Sequence, residues 1–161
     1  MSADNADIGQ DELEIRLARD KDAPILQQLA RDAYQQYVVA EGSEPEPMKT
    51  DYLAAIAKSD TWVAEYHGTI VGFLVVEAHS NFLLLDNIAV IDSVRGRGVG
   101  RRLMDWSESR AIAHGLLEIR LYTGEVMTQN RHYYERRGFA ETHRAFEKGH
   151  HRVYYSKPML P

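Results

Sequence analysis

The sequence predicts a single α/β domain in which helices flank one mixed sheet. The chain has 161 residues, a usual length for one domain, and 44% of them are apolar, which is enough for one sizeable core. Segments whose apolar residues alternate, as in strands, lie among segments whose apolar residues recur every three to four positions, as in helices. The sequence contains no internal repeat and no interdomain linker, so we expect one domain.

The N-terminal part of the chain predicts a tail, a strand and a helix. Residues 1–11 are acidic and polar, and we expect a flexible, solvated tail before a domain that spans residues 12–161. Apolar residues alternate over residues 13–19, which is typical of a half-buried strand. An aspartate shortly before Pro24 marks the start of a helix. The apolar stripe of this helix consists of Ile25, Leu26, Leu29, Ala33, Tyr37 and Val38.

The middle of the chain changes from helical to strand periodicity. Two prolines and a glycine within residues 41–48 end the first helix, and a short second helix follows over residues 51–58. Residues 61–78 indicate two strands with a tight turn at His67-Gly68. Residues 82–91 are so apolar that we expect both faces of this strand to be covered, which places it near the centre of the sheet.

The second half of the chain continues with alternating helices and strands. A helix with buried positions at Val99, Leu103, Trp106 and Ala113 ends at Gly115. The remaining elements are a strand over residues 118–123, a helix over residues 127–138, and a hairpin over residues 139–159 that turns at Lys148-Gly149.

The composition argues against several classes of function. A formal net charge of −5 disfavours a general nucleic-acid binder. The absence of cysteine excludes a thiol nucleophile and any cysteine-ligated metal site. The N-terminus has no signal-peptide pattern, and the apolar runs are far shorter than the roughly 18 residues of a membrane span, so we expect a cytoplasmic protein without a membrane partner.

A glycine-rich segment follows the most apolar strand. Residues 91–104, IDSVRGRGVGRRLM, place three glycines and four arginines between this strand and a helix. Glycine lets the backbone approach a ligand closely, and the first turn of a helix offers unpaired N–H groups, so the segment suits a phosphate. Its spacing fits neither the Rossmann nor the P-loop pattern. The alternative interpretation is a structural turn with solvated arginines.

Three segments together resemble the GNAT superfamily of acyl-CoA-dependent N-acyltransferases. Arg95-Gly96-Arg97-Gly98-Val99-Gly100 resembles the signature (Gln/Arg)-x-x-Gly-x-(Gly/Ala), LLLDNIAV resembles the central strand before it, and NRHYYERRGF resembles the later Asn-x-x-x-Tyr-Glu-x-x-Gly-Phe segment. The likeness covers roughly residues 13–158, and EIRLYTGEVMTQN resembles a bacterial subgroup. The resemblance implies a mixed, mostly antiparallel sheet whose strands 82–91 and 117–123 splay apart to form a cleft.

The resemblance also implies acetyl-CoA as the cosubstrate, without a metal. Amides of the signature would hold the pyrophosphate of coenzyme A, and the pantetheine arm would pair with the backbone of Ile88 and Val90. Arg95 and Arg102 would either meet phosphate or shield the site. The implied amides are those of Arg97, Gly98, Gly100 and Arg101, with Gly96 as a fifth.

Tyr134 is the candidate acid. The resemblance places it at the tyrosine that commonly points at the coenzyme sulfur, and a phenol with a pKa of ~10 stays protonated at neutral pH and can protonate a thiolate. The alternative is a core tyrosine with a satisfied hydroxyl, a role we expect of Tyr133. Asn130 lies one helical turn earlier and resembles the family asparagine that contacts the coenzyme arm or an ordered water. A helix cap is the alternative for Asn130.

Asp86 is the candidate base, because an amine that attacks a thioester must lose a proton. A carboxylate in so apolar a strand needs a partner or a purpose, and a structural salt bridge is the alternative. Glu125, just after residues 118–123, is the second choice and is assigned to the substrate side. Many family members use only water. A strand amide near Val90 would donate to the oxyanion.

The acceptor side is expected beneath the first helices, which usually cover it in this fold. The alternative is that these side chains are core aromatics and a solvated acidic loop. The GHHR turn at residues 149–152 is expected at the surface, and no histidine spacing indicates a metal site. The candidates for the acceptor side are Tyr34, Tyr37, Met48, Glu41, Glu44 and Glu46.

The sequence therefore favours an N-acetyltransferase that passes the acetyl group of acetyl-CoA to a small-molecule amine. Because no cysteine exists to carry the acetyl group, we expect direct attack in a ternary complex. The alternatives are a protein or peptide N-acetyltransferase and a non-catalytic acyl-CoA-binding regulatory module. No nucleic-acid partner is expected, and a homodimer would be common for such a fold.

Overall fold

Seven strands and six helices build the part of the protein that a computed structural model describes, residues 6–58 and 60–160. The elements before the sheet centre are β1 (Leu13–Leu17), α1 (Ala23–Tyr34), α2 (Val38–Glu41), α3 (Glu46–Lys49), α4 (Tyr52–Lys58), β2 (Asp60–Tyr66), β3 (Thr69–Ala78) and β4 (Leu83–Val90). The elements after it are α5 (Val99–Ala113), β5 (Glu118–Gly124), α6 (Thr128–Arg136), β6 (Ala140–Glu147) and β7 (His150–Pro158).

The strands form one sheet in the order β1-β2-β3-β4-β5-β7-β6. β4 and β5 are parallel neighbours, and the other neighbouring strands are antiparallel. The parallel pair follows from α5, which returns the chain to the end of the sheet where β4 began. The predicted mixed and mostly antiparallel sheet is thus confirmed, with the apolar strand 82–91 at its centre.

Two apolar clusters cover the two faces of the sheet. On one face, α5 and α6 pack on the strands through residues that include Leu103, Tyr134 and Leu74. On the opposite face, α1 and α4 pack on residues such as Phe73 and Val75 of β3. Both faces of the central strands are therefore covered, which explains the continuous apolar runs in their sequences.

Both predicted tight turns are present at the tips of two-residue hairpins. The turn residues have positive φ, as a type I′ turn requires at both central positions. This geometry follows the right-handed twist of the flanking strands, and glycine adopts it without strain at the second position. The values of φ are 50° at His67, 79° at Gly68, 52° at Lys148 and 81° at Gly149.

The first helix is shorter than the apolar stripe predicts. α1 ends at Tyr34, a 3-10 turn covers Gln35–Tyr37, and α2 then ends at Gly42, whose φ of 78° closes it. The segment predicted only to break the helix contains α3 directly after Pro45. These bends direct the chain across the sheet, so that α2 and α3 cover the ends of β5 and β7.

The described part of the predicted tail lies against the protein. Ile8 is 6% exposed and belongs to the apolar cluster under α5. Its N–H donates to the carbonyl of Arg97 at 2.9 Å. Ile8 thus anchors residues 6–11, although the residues on either side of it are exposed. Residues 1–5 lie outside the described residues.

The helices give no sign of a membrane span. None of those within residues 6–58 and 60–160 is long and apolar enough to cross a bilayer.

Candidate active site

A gap opens between the two central strands. β4 and β5 pair only at Leu83 with Ile119 and at Leu84 with Arg120. Both strands then continue, β4 to Val90 and β5 to Gly124, without pairing with each other. Their carboxyl ends therefore diverge, and the backbone of β4 faces an open space where a neighbouring strand would otherwise lie.

A β-bulge at Asp86 sets which backbone groups face this gap. Asn87 pairs with Val75 and Leu85 with Val76, so Asp86 is an extra residue on β4. Farther along, the N–H of Ile91 donates to Val71 of β3 at 2.9 Å. Since successive residues of a strand direct their polar groups to opposite edges, Val90 and Ile88 direct theirs toward the gap.

The glycine-rich turn lies at the carboxyl end of β4 and begins α5. Gly96 and Gly98 have φ of 78° and 89°, and Gly98 is the residue that caps α5. The first intrahelical hydrogen bond is the one that the N–H of Arg102 donates to the carbonyl of Gly98, at 3.1 Å. The amides of the first helical turn, Gly100 and Arg101 among them, thus have no partner within the helix.

The arginines of this segment differ in how far they are engaged. Arg95 is exposed and pairs with Asp92 at 2.8 Å. Arg97 donates its Nε to the carbonyl of Ala6 at 2.8 Å and its amide to Val94 at 3.1 Å, so it is already used by the protein. Arg101 pairs with Asp7 at 2.6 Å. The backbone N–H of Arg97 is thus already bonded within the turn.

A cleft of about 310 Å³ joins the gap, the glycine-rich turn and α6; we call it the glycine-turn cleft. Its lining brings together many of the residues predicted for coenzyme binding and catalysis. The lining consists of Ala33, Tyr34, Ile88, Ala89, Val90, Val94, Arg95, Gly96, Gly100, Asn130, Tyr133 and Tyr134.

Tyr134 combines a buried ring with an unpartnered hydroxyl. The residue is 8% exposed, and its ring packs edge-on against Tyr133 and Phe139. Among the described residues, its hydroxyl has no hydrogen-bond partner, unlike that of Tyr155, which donates to Glu135 at 3.0 Å. Burial raises the pKa of Tyr134 well above 10, and the neighbouring tyrosines raise it further.

Asn130 faces the same cleft from the third position of α6. The residue before α6 is Met127, so Asn130 is not the cap of this helix. Its Nδ2 lies 3.7 Å from the sulfur of Met127, a weak contact that leaves the amide group available.

The carboxylate of Asp86 forms no salt bridge within residues 6–58 and 60–160, in contrast to the structural alternative for this residue. The residue is exposed and does not line the glycine-turn cleft, yet surrounding protein removes part of its solvent. This desolvation, followed by repulsion from Glu77, raises the pKa of Asp86 above its usual value of 3.8. A carboxylate with a raised pKa accepts a proton more readily than an ordinary surface aspartate.

A second cleft lies on the sheet face covered by α1, α2 and α3; we call it the Glu41 cleft. It has a cavity volume of about 50 Å³ and shares Tyr34 with the glycine-turn cleft. Its lining is Tyr34, Glu41, Pro45, Glu46, Pro47, Tyr122, Thr123, Gly124, Met127, His150 and Arg152.

Tyr34 lies where the two clefts meet. Its hydroxyl is 3.2 Å from Oδ1 of Asn87 and 3.4 Å from the carbonyl of Ile88, and both are acceptors. Asn87 in turn donates its Nδ2 to Tyr52 at 2.7 Å. This buried chain fixes the end of α1 against β4, and burial raises the pKa of Tyr34.

Four residues predicted for the substrate side line neither cleft: Tyr37, Glu44, Met48 and Glu125. The ring of Tyr37 lies 6.4 Å from that of Tyr34 but on the far side of the helix break. Glu125 pairs with Arg144 of β6 at 3.4 Å. The positions of Tyr37 and Glu125 follow from bends that the sequence does not indicate, the 3-10 turn after α1 and the turn after β5.

The sequence interpretation missed a buried pair in the Glu41 cleft. Nδ1 of His150 lies 2.8 Å from Oε2 of Glu41, and the two side chains are 5% and 6% exposed. The prediction of a surface GHHR turn is thus correct for His151 and wrong for His150, because alternate residues of β7 face α2. That alternation was the available signal. No group of three potential metal ligands occurs in the described ranges.

Comparisons with known proteins agree with this geometry. The model of the acetyltransferase (GNAT) family matches residues 24–139, more than two thirds of the chain. A search of curated proteins found no match.

Solved structures with the same fold are numerous, at low sequence identity. PaiA N-acetyltransferase from Thermoplasma acidophilum, in complex with coenzyme A, has a TM-score of 0.75 and 19% identity, covering 91% of this chain and 98% of its own. Nourseothricin acetyltransferase has a TM-score of 0.72 and 22% identity, and the match covers 92% of this chain and 99% of that chain. The ribosomal-protein-S18-alanine N-acetyltransferase from Escherichia coli has a TM-score of 0.71 and 15% identity, and the match covers 92% of this chain and 95% of that chain.

Proposed function

Because the chain belongs to the GNAT acetyltransferase family, we propose that it transfers the acetyl group of acetyl-CoA to the primary amine of a small molecule. The observation that carries this proposal is the gap between β4 and β5, which joins the glycine-rich turn to Tyr134 in one cleft. With no cysteine in the chain, the amine attacks the thioester directly in a ternary complex.

The backbone around the gap supplies the coenzyme site. The pyrophosphate binds the amides of Gly98, Gly100 and Arg101, where the helix N-terminus favours an anion. Arg95 at the rim adds a charge-assisted bond. The pantetheine arm lies along Ile88 and Val90 and takes the place of the missing strand.

The chemistry needs an acid for the departing thiolate, and Tyr134 supplies it. Its raised pKa keeps the phenol protonated at neutral pH, and its hydroxyl is not committed to any described residue. Proton transfer in the transition state by such a group contributes about 10²–10⁴-fold to the rate. Asn130, on the same side of α6, holds the coenzyme arm or a water beside it.

Asp86 takes the proton that the amine loses. It lies at the bulge of β4, two residues before Ile88. Its raised pKa supports this role, as does the lack of an ion pair among the described residues. The amide of Val90 donates to the oxyanion that forms on the acetyl group.

A protein acceptor is the second candidate, since one neighbour of the same fold is described as acting on an alanine of a ribosomal protein. The Glu41 cleft favours the small molecule, because its cavity has only about 50 Å³ and is lined by Pro45 and Pro47. A non-catalytic coenzyme-binding module is disfavoured by the free hydroxyl of Tyr134.

The test is release of coenzyme A thiol from acetyl-CoA across a panel of small primary amines and amine-bearing peptides. The proposal predicts turnover with a small amine, and product analysis should give the N-acetyl derivative. Turnover with peptides alone would instead support the protein acceptor. Tight binding of acetyl-CoA with no turnover of either class would support the non-catalytic module.

A further inference from the structure

The Glu41 cleft contains two buried nitrogens that lack partners among the described residues. Arg152 is 6% exposed, and its Nη2 makes no hydrogen bond there. Nε2 of His150 is buried and unpartnered in the same part of the chain. Both residues line this one cleft. A buried polar group without a partner is destabilising, so a ligand that bonds to both groups would remove this cost.

Arg152 requires an acceptor. Its guanidinium stacks over the ring of Tyr122 at 4.2 Å, which holds the plane in place. Nη1 has only a long contact with the exposed Glu147, at 3.4 Å, which leaves Nη2 uncommitted. Because a guanidinium stays charged and only donates, a carboxylate is its best-matched partner.

His150 requires a donor. The carboxylate of Glu41 only accepts, so Nδ1 of His150 carries the proton between them. In the neutral form of the ring, Nε2 has a lone pair and accepts a hydrogen bond. An amine N–H satisfies this lone pair, and the adjacent negative charge of Glu41 favours a cationic amine.

The Glu41 cleft lies where the acceptor amine is expected. It shares Tyr34 with the glycine-turn cleft, so a ligand in it lies beside the proposed thioester. Pro45, Pro47 and Met127 provide apolar walls.

We propose that the Glu41 cleft selects an amine that also carries a carboxylate, as a free amino acid does. Arg152 binds the carboxylate, and His150, oriented by Glu41, accepts a hydrogen bond from the amine. This inference rests on the proposed function. The bound ammonium first releases a proton to solvent.

The transfer then balances as follows. The amine nitrogen forms a bond to the acetyl carbon and the carbon–sulfur bond breaks. One proton leaves the nitrogen for Asp86, and Tyr134 gives one to the thiolate. Solvent returns both groups to their starting protonation states, and the products are the N-acetyl amino acid and coenzyme A.

The test compares each of a panel of L-amino acids with its own α-carboxamide, by thiol release at saturating acetyl-CoA. The amide has the less basic amine, so intrinsic reactivity favours it, and a preference for the acid must come from the protein. We expect kcat/KM for the best amino acid to exceed that for its amide by about tenfold or more, the factor that about 1.4 kcal/mol represents.

Substitution assigns this preference to one side chain. Arg152→Gln should lower kcat/KM for the acids far more than for their amides, which removes the preference. Arg144→Gln is the control, because Arg144 is an exposed arginine of the neighbouring strand paired with Glu141. Equal acetyl-CoA affinity in wild type and variant, by calorimetry, shows that Arg152→Gln folds. If it does not fold, Arg152→Lys, which keeps the charge but loses the two-pronged geometry, replaces it.

The outcomes separate this inference from the proposed function. If the protein binds acetyl-CoA and acetylates the amides as well as the acids, or acetylates neither, carboxylate selection is refuted. If a folded Arg152→Gln keeps the preference for the acid, the assignment to Arg152 is refuted. If acetyl-CoA does not bind at all, the proposed function itself fails.

Discussion

Among single residues, the buried tyrosines differ in what their hydroxyls can do. Tyr52 donates to the carbonyl of Pro47 at 2.6 Å, and Tyr155 donates to Glu135. Tyr134 packs against Tyr155, yet its own hydroxyl is free among the described residues. Sequence alone does not separate these roles, because all three residues are equally apolar in pattern. The family resemblance singled out Tyr134, and the packing supports that choice.

Tyr134→Phe tests the proposed acid. We expect kcat to fall about 10²–10⁴-fold, because the thiolate loses its proton donor. The affinity for acetyl-CoA, measured by calorimetry, should stay near that of the wild type, since the ring remains in place. Tyr155→Phe is the matched control: it removes a hydrogen-bonded hydroxyl and should cost stability but not kcat. A variant Tyr134→Phe with unchanged kcat would contradict the assignment.

Asp86→Asn tests the proposed base. The carboxylate acts only when ionised, and its pKa is raised, so kcat/KM of the wild type should fall as pH decreases through that raised pKa. The variant should lose this acidic limb together with about 10²-fold or more of its rate. Glu125→Gln, at the second choice of base, should behave as wild type in a pH–rate profile. The reverse pattern would move the role to Glu125.

Among the elements, some are predictable from local sequence patterns, and others depend on contacts between distant parts of the chain. The glycine-rich turn, both hairpins and the covered strand are local patterns, so they were predictable. The bulge at Asp86 and the break after Tyr34 depend on which strand or helix lies alongside. The Glu41–His150 pair joins residues that are 109 positions apart, and no local pattern contains it. The packing of residues 6–11 against the protein depends on a single isoleucine, Ile8.

The position of Asp7 in the N-terminal segment, residues 6–11, predicts an effect on coenzyme binding. Asp7 pairs with Arg101, and a Cβ at Gly98 would lie 3.4 Å from its Oδ1, so this carboxylate is close to the proposed phosphate site. Asp7→Asn should therefore tighten acetyl-CoA binding severalfold by removing repulsion and releasing Arg101. The loss of stability should be small, because an exposed ion pair contributes about 0–1 kcal/mol.

Calorimetry at low salt measures this effect. Glu14→Gln, which removes the same charge from an exposed position of β1, is the control for net charge. Unchanged or weaker binding by Asp7→Asn would show that the segment does not oppose the phosphates.

For the whole molecule, the buried tyrosines predict how stability depends on pH. Burial raises the pKa of Tyr34, Tyr52 and Tyr134. Above pH ~10 the unfolded chain loses these protons while the folded chain keeps them, so the free energy of unfolding falls as pH rises. Below that pH the three residues should cause no change.

Chemical denaturation at a series of alkaline pH values measures the slope. Tyr34→Phe should make it shallower by removing one of the three protons. An identical slope in wild type and variant would contradict the burial of Tyr34.

The central claim concerns the whole cleft, and calorimetric titration of acetyl-CoA tests it most directly. Gly100 lines the cleft, and a Cβ there would meet only Val90 at 3.9 Å, so Gly100→Leu adds bulk without backbone strain. Ser109→Leu adds a leucine to an exposed position of the same helix. We predict that wild type and Ser109→Leu bind acetyl-CoA alike and that Gly100→Leu folds but does not bind. Binding by Gly100→Leu as tight as that of the wild type, or no binding by the wild type, would contradict the account.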